Sequence, residues 1–240
     1  MASQTIVLIT GTTRGIGEGI LKEYLAKPNH IVISANRDPN HAASQALLKY
    51  PTAENTKHIL VKIDCDAPTD PANAVKDLAS QGIDHVDILI ANAGIALLWS
   101  TVSEVKPEDI QKHMETNVYG FLHLFQAFLP LLQRSKKPTW VTIGSCAAWL
   151  TNAAYAPTKL MTHWYTKAMH IEHPELCAFP IDPGWAQTDL GNRGAAAFGF
   201  EQAAVPVADS VAGIVKVVDA ATRETHGGKM WTWDGKNVAW

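Results

Sequence analysis

The stretch Thr5-Ile6-Val7-Leu8-Ile9-Thr10, followed by Gly11-Thr12-Thr13-Arg14-Gly15-Ile16-Gly17, constrains the fold more than any other. An unbroken apolar run rich in β-branched residues suits a strand buried on both faces, as in a parallel sheet. Apolar residues then recur at helical spacing (Ile20, Leu21, Tyr24, Leu25), which predicts a helix over about 16–27. A strand, a glycine-rich turn and a helix in that order form a setting for dinucleotide binding. The glycines allow a tight turn and close backbone approach to a pyrophosphate, which docks at the helix N-terminus. Gly11, Thr13, Arg14, Gly15, Ile16 and Gly17 are the expected phosphate loop.

Similar apolar runs recur at 30–34, 58–63, 86–90, 140–143, 176–181 and 229–233. Helical patterns separate most of them, at 72–81, 107–132, about 155–170 and 208–221. This alternation predicts an α/β fold: a doubly wound parallel sheet with helices on both faces and a ligand crevice at the C-terminal strand ends. With no internal repeat, low-complexity tract or linker, one domain over 1–240 is expected. Residues 186–205 are rich in glycine and alanine, carry Phe198 and Phe200, and read as a mobile loop or small substrate lid. The 107–132 helix has more apolar surface (Val118, Phe121, Leu122, Leu124, Phe125, Phe128, Leu129, Leu132) than one sheet face can cover. The remainder needs a partner, which points to a homodimer or homotetramer.

The strand ends carry the polar residues. Arg37 ends the second run, where an arginine accommodates a 2′-phosphate and an acid accepts from a free 2′-hydroxyl. With Arg14 in the glycine loop it favours NADP(H), although Asp38 follows directly. Asp64-Cys65 ends the third run; the carboxylate can bond an adenine amino group or cap the next helix. Asn92, Ala93 and Gly94 follow the fourth run, where small residues let a cofactor pass close to the backbone. Tyr155 and Lys159 lie one turn apart on one helix face. A neighbouring ammonium lowers the pKa of a phenol and makes it a usable general acid. Taken alone, the pair is better read as a solvated helix face; its company changes that.

Composition removes several other classes. Lys and Arg number 20 against 23 Asp and Glu, a net charge of −3 without a basic field, so neither nucleic acid nor a membrane surface is an expected partner. Three scattered cysteines fit a reducing compartment without structural disulfides. The first strand pattern begins by Thr5 and no apolar run would span a bilayer, so a soluble, cytoplasmic protein is expected. His170 and His173 sit where a helix ends, with no acid or cysteine cluster to complete a metal site, and no metal is expected.

Together these motifs resemble the short-chain dehydrogenase/reductase family along nearly the whole chain. The glycine motif is Thr10–Gly17. The family's Asn-Asn-Ala-Gly stands here as Ala91-Asn92-Ala93-Gly94, lacking the first asparagine. The resemblance implies a catalytic tetrad of Asn117, Ser145, Tyr155 and Lys159, and a cofactor-carboxamide motif in Pro183-Gly184-Trp185-Ala186-Gln187-Thr188. The 181–185 segment, 170–177 and the terminal Trp233-Asp234-Gly235 with Trp240 are similar to fungal reductases akin to norsolorinic acid ketoreductase. Ser145 precedes Tyr155 by ten residues, fewer than is usual in the family, while Thr142 has nearer the usual spacing but lies inside a strand.

The resemblance implies hydride transfer from a nicotinamide to a carbonyl carbon. Tyr155 would protonate the developing alkoxide and Ser145 would bond the same oxygen. Lys159 would lower the phenol pKa and hold the nicotinamide ribose, and Asn117 would position a water for a proton relay. Pro183, Gly184, Ala186 and Thr188 would orient the carboxamide. A non-redox member using NADP as a scaffold for dehydration, isomerisation or cyclisation is the competing reading. Trp99, Trp149 and Trp185 follow strand ends on the crevice side, which suits a bulky aromatic or polyketide-like ketone as substrate.

Overall fold

The computed structural model describes residues 4–149 and 152–239; the side chain of Trp149 and all of Trp240 lie outside the described residues. Eight strands form one sheet in the order β3-β2-β1-β4-β5-β6-β7-β8. They are β1 (Thr5–Thr10), β2 (His30–Asn36), β3 (Lys57–Lys62), β4 (Ile88–Ala91), β5 (Thr139–Ile143), β6 (Cys177–Asp182), β7 (Met230–Thr232) and β8 (Asn237–Val238). The first seven pair in parallel, and β8 returns antiparallel on β7. The expected doubly wound sheet is therefore present. Strand order reverses between β1 and β4, so their C-terminal ends flank the crevice where such sheets bind ligands.

The continuous apolar runs divide between two cores. In β1, Ile6 and Leu8 join one core while Val7 and Ile9 join the other, because successive side chains point to opposite faces. Helices α1 (Gly15–Leu25) and α8 (Val207–Ala220) cover the Val7 face. Helices α3 (Asp70–Ser80) and α5 (Gly120–Leu132) cover the other. There, fully buried Trp140 meets Phe121 and Phe125 edge-on, at 5.3 and 5.2 Å between ring centroids. Trp140 Nε1 donates to Thr142 Oγ1 at 2.9 Å, so Thr142 is spent inside the core.

Two expectations need correction. The 107–132 helix is not uniform: α4 (Pro107–Met114) passes through a π-helical segment, Glu115–Tyr119, into α5. The irregularity turns polar Asn117 inward, where its amide finds protein partners. Residues 186–205 are not simply a loop, because they contain α7 (Asp189–Ala197). The Thr188 side chain accepts from Gly191 N at 3.0 Å and caps that helix, and the alanines outweigh the glycines. The segment closes at its base, where Gln187 N donates to Val205 O (2.8 Å) and Val205 N to Trp185 O (2.9 Å). Short α2 (Ala42–Leu47), α9 (Arg223–His226) and β8 had no clear sequence pattern. Helix α6 (Ala156–Glu172), between β5 and β6, carries three large exposed apolar side chains: Leu160, Trp164 and Ile171.

Candidate active site

A cleft of about 1510 Å³ runs along the C-terminal strand ends, walled by the glycine loop, the tips of β2 to β6 and the 183–200 segment. Its backbone suits a dinucleotide. Gly11 and Gly15 have φ of +70° and +60°, values that favour glycine. A Cβ on Gly17 would lie 2.3 Å from Gly11 O and 2.4 Å from Asn92 Nδ2, so no side chain fits there. Thr13, Arg14, Gly15 and Ile16 line the same wall and lead into the N-terminus of α1.

At one end lie Arg14, Arg37, Asp64 and Cys65. Arg37 is exposed, as is Arg14, which faces Asp189 at 3.5 Å with both side chains about three-quarters exposed. The Asp38 carboxylate accepts from Asn40 N at 2.9 Å, a local turn bond preceding α2. Asp64 likewise accepts from Asp66 N at 3.1 Å. Burial, with Asp64 and Asp66 nearby, pushes the Cys65 thiol up to about 11, so it behaves as a small apolar group. Thr12 donates twice to buried Asn36 Oδ1 and ties the glycine loop to the tip of β2.

Asn92 lines the cleft and also has a structural job. Its Nδ2 donates to Thr10 O at 2.8 Å and to Gly11 O at 3.1 Å, so its side chain braces the glycine loop. Ala93 and Gly94 continue that wall. A Cβ on Gly94 would stand 3.2 Å from Asn117 Oδ1 and 3.9 Å from Lys159 Nζ, which fixes how near those two groups are. Asn117 accepts from Ile95 N (2.8 Å) and donates to Ile95 O (2.9 Å) and Thr158 Oγ1 (3.1 Å).

At the other end, Ser145, Tyr155 and Lys159 converge on the cleft below the tip of β5. Tyr155 is the N-cap of α6 and Lys159 lies in its first turn, so the expected helix face is formed. Lys159 Nζ donates to Ile143 O at 2.8 Å and stands 5.7 Å from the centroid of the Tyr155 ring. Burial pushes the lysine down to about 8, partly offset by Asp182. Burial also holds the Tyr155 phenol well above its usual range, opposed by a hydrogen bond with the Ser145 hydroxyl. Burial therefore governs the phenol more than the lysine does: Lys159 loses its proton before the phenol can ionise. Ser145 Oγ accepts from Ala147 N at 3.1 Å, which begins the short 3₁₀ turn Cys146–Trp149. Thr142, the other candidate, bonds Trp140 and Thr166 and is buried away from the cleft.

The 183–188 motif also lines the cleft. Gly184 has φ of +71°, and a Cβ on it would meet Trp233 Nε1 at 2.7 Å. Ala186 N donates to Gly184 O and Thr188 N to Ala186 O, so both amides serve the turn itself. The Thr188 side chain faces Gly15 across the cleft, 3.0 Å from where its Cβ would be. Trp99, Trp185, Phe198 and Phe200 also line the cleft. Trp185 meets Phe198 and Phe200 edge-on, at 6.4 and 5.5 Å.

Three buried residues that sequence reasoning left without a role complete this end. Asn152 Oδ1 accepts from Tyr155 N at 3.1 Å. His163 Nε2 accepts from Ser145 N at 3.2 Å, and Asp182 Oδ1 accepts from Cys146 N at 3.0 Å. For His163 a signal existed: Tyr155, Lys159 and His163 are spaced by four and share one helix face.

A parallel sheet with its switch point beneath a glycine loop, and a Ser-Tyr-Lys cluster beside it, agree with the family model for short chain dehydrogenases, which matches residues 5–196. The chain belongs to that family and is an oxidoreductase. It is similar to norsolorinic acid ketoreductase of Dothistroma septosporum, 37% identical with 100% of this chain and 94% of the relative covered. The norsolorinic acid ketoreductase of Emericella nidulans is 38% identical, with 99% and 94% covered. Among solved structures, NADPH-bound carbonyl reductase from chicken fatty liver superposes with a TM-score of 0.85 at 26% identity, with 99% and 100% covered. Among the described residues no helix is long and apolar enough to cross a membrane, and no group of three or more His, Cys, Asp or Glu could hold a metal ion.

Proposed function

We propose that this chain is an NADPH-dependent ketoreductase that converts a bulky aromatic or polyketide-like ketone to a secondary alcohol. The observation that carries the reading is the convergence of Ser145, Tyr155 and Lys159 on a glycine-walled cleft, with arginines at its far end. When bound, NADPH supplies hydride from its nicotinamide. The phenol of Tyr155, held above its usual range by burial, stays protonated at neutral pH, the form needed to deliver a proton to a developing alkoxide. Ser145 Oγ accepts from Ala147 N, and its own hydrogen, turned to the Tyr155 phenol when no substrate is bound, can be given to the same oxygen. Lys159, pushed down to about 8, can exchange protons near neutral pH, and Asn117 stands beside it. Arg14 and Arg37 receive the 2′-phosphate, while the glycine loop cradles the pyrophosphate. Asp64 and Cys65 border the adenine, and Pro183, Gly184, Ala186 and Thr188 border the nicotinamide. The 186–205 segment acts as the lid. The names of the fungal relatives support a ketone as substrate, and the aromatic wall fits flat ligands by offset stacking.

The test is turnover of polycyclic aromatic, monocyclic and aliphatic ketones with NADPH and NADH, with products identified. Secondary alcohols formed with NADPH are the expected result. Dehydrated or isomerised products without net NADPH consumption would replace this reading with a non-redox one.

Exposed Leu160, Trp164 and Ile171 along α6, with Tyr119 beside α5, support a homodimer or homotetramer joined through these helices. Light scattering at micromolar concentration should give an oligomer for the native chain and a smaller species for Trp164→Glu.

A further inference from the structure

The short connection from Ser145 to Tyr155 raises the question of what holds Ser145 in place. Two consecutive amides answer it. Ser145 N donates to His163 Nε2 at 3.2 Å, and Cys146 N donates to Asp182 Oδ1 at 3.0 Å. The two acceptors come from different elements, α6 and the end of β6, and hold the two peptide N–H groups that flank the Ser145 Cα. Both are buried, at 1% and 6% relative exposure. A Cβ on Gly144 would lie 2.4 Å from His163 Nε2, so the imidazole is packed directly against the backbone leading into Ser145. Asp182 also accepts from Gly184 N at 3.3 Å, which joins the same carboxylate to the turn of the 183–188 motif.

We infer that His163 and Asp182 are positioning residues that clamp the two peptide groups flanking Ser145 and thereby aim its hydroxyl. This rests on the proposed role of Ser145 and adds the device that makes a ten-residue spacing workable. The chemistry of each acceptor fits. Burial and the nearby Lys159 push His163 down to about 3, so the imidazole is neutral and the Nε2 lone pair accepts the Ser145 N–H. A buried carboxylate is costly unless its oxygens are bonded, and two amides plus the Cys146 thiol supply those bonds. With both amides turned away from the cleft, hydroxyls rather than backbone N–H groups are left to meet a substrate oxygen at Ser145. The groups with charge or titratable protons that face Asp182 are Lys159 and Tyr155 from α6, Cys146 from the 3₁₀ turn, and Asp234 from the turn after β7.

The test combines amide exchange and kinetics. In the native protein without ligand, the Ser145 and Cys146 amides should exchange at least about 100-fold more slowly than an unstructured chain. Asp182→Leu should lose that protection at Cys146 and Gly184, and His163→Leu at Ser145, while β1 and β4 keep theirs. Both variants should lower kcat about 10–100-fold, because a displacement near 1 Å can cost that much, with the KM for NADPH within about threefold of native. Asp182→Asn, whose amide oxygen can still accept from Cys146 N, should recover most of the loss. Fast exchange of the Ser145 and Cys146 amides in the folded native protein would overturn the inference even if the variants failed to fold. So would unchanged kcat in folded Asp182→Leu and His163→Leu. If the native protein reduces no ketone, the functional reading falls, and the exchange experiment still decides the clamp.

Discussion

At the β1–β3 end of the cleft the charged side chains stand in solvent, whereas at the β4–β6 end the polar ones are buried and bonded. Arg14 and Arg37 are exposed, and the Arg14 pair with Asp189 is long and open to water. Lys159, Asn117, His163 and Asp182 are all below 9% exposed and tied to the backbone. The difference fits the division of labour proposed for the two ends. Charge recognition of a phosphate tolerates flexible side chains, because a guanidinium can reach its target. Proton transfer needs groups fixed within a fraction of an ångström. Changes at the buried end should therefore act on rate and pH dependence, and changes at the open end on affinity.

The largest expected effect is at the buried end. Tyr155→Phe should lower kcat for ketone reduction by about 10²–10⁴ while NADPH still binds, as read by titration of cofactor fluorescence. Near-native turnover would remove the phenol from the chemistry and with it the contrast between the two ends.

Burial also predicts how acid affects stability. His163 stays neutral in the fold down to about pH 3, whereas in the unfolded chain it takes a proton near 6.5. The unfolded state thus binds more protons in that window. The contribution of His163 is complete above about pH 6.5 and is lost as pH falls toward 3, by up to about 1.4 kcal/mol per pH unit. Urea denaturation across that range should show a shallower acid decline in His163→Leu than in the native protein; parallel curves would mean that the imidazole is hydrated.

At the open end, Arg37→Ala should raise the KM for NADPH about 10–100-fold and leave that for NADH nearly unchanged, since a charge-assisted bond contributes about 1.5–3 kcal/mol. Equal effects on both cofactors would show that Arg37 does not meet the 2′-phosphate. Trp185→Ala should narrow the preference for a polycyclic over a small aliphatic ketone by about 3–10-fold, in line with about 0.5–1.5 kcal/mol for a stacked aromatic pair. If kcat/KM for the two ketones falls in proportion, the aromatic wall only packs the lid. Smallest of all, Asp189→Asn should change unfolding free energy by less than about 1 kcal/mol, because an exposed ion pair contributes little. A larger loss would mean that Asp189 acts through the α7 N-terminus rather than through Arg14.

The parallel sheet was legible because β1 and its neighbours are apolar on both faces, a pattern that few other structures share. The glycine loop and the Tyr155–Lys159 pair were legible because their function depends on local spacing. The bracing role of the Asn92 side chain was not legible for the opposite reason: it bonds Thr10 and Gly11, eighty residues away, and nothing local shows that its amide turns back to the loop. Asp182 read as the tip of a strand, and its bond to Cys146 depends on how β5 and β6 align. The α7 helix was hidden by its glycines, whose low propensity is outweighed by a Thr188 cap that propensity alone does not count. His58 and Ser34 bond each other inside the β2–β3 layer, although neither residue carried a signal of pairing.

The π-helical segment at Glu115–Tyr119 has a consequence for how this chain can change. One surplus residue in a helix shifts the angular phase of everything beyond it by about 100°, so α4 and α5 are indexed to different rotational frames. Deleting a single residue between 115 and 119 would give a smoother and locally easier helix. It would also turn either Asn117 or the Phe121–Phe128 face away from its present partners. A point substitution leaves that phase intact whereas a length change does not, so the odd register rests on geometry rather than on any one side chain.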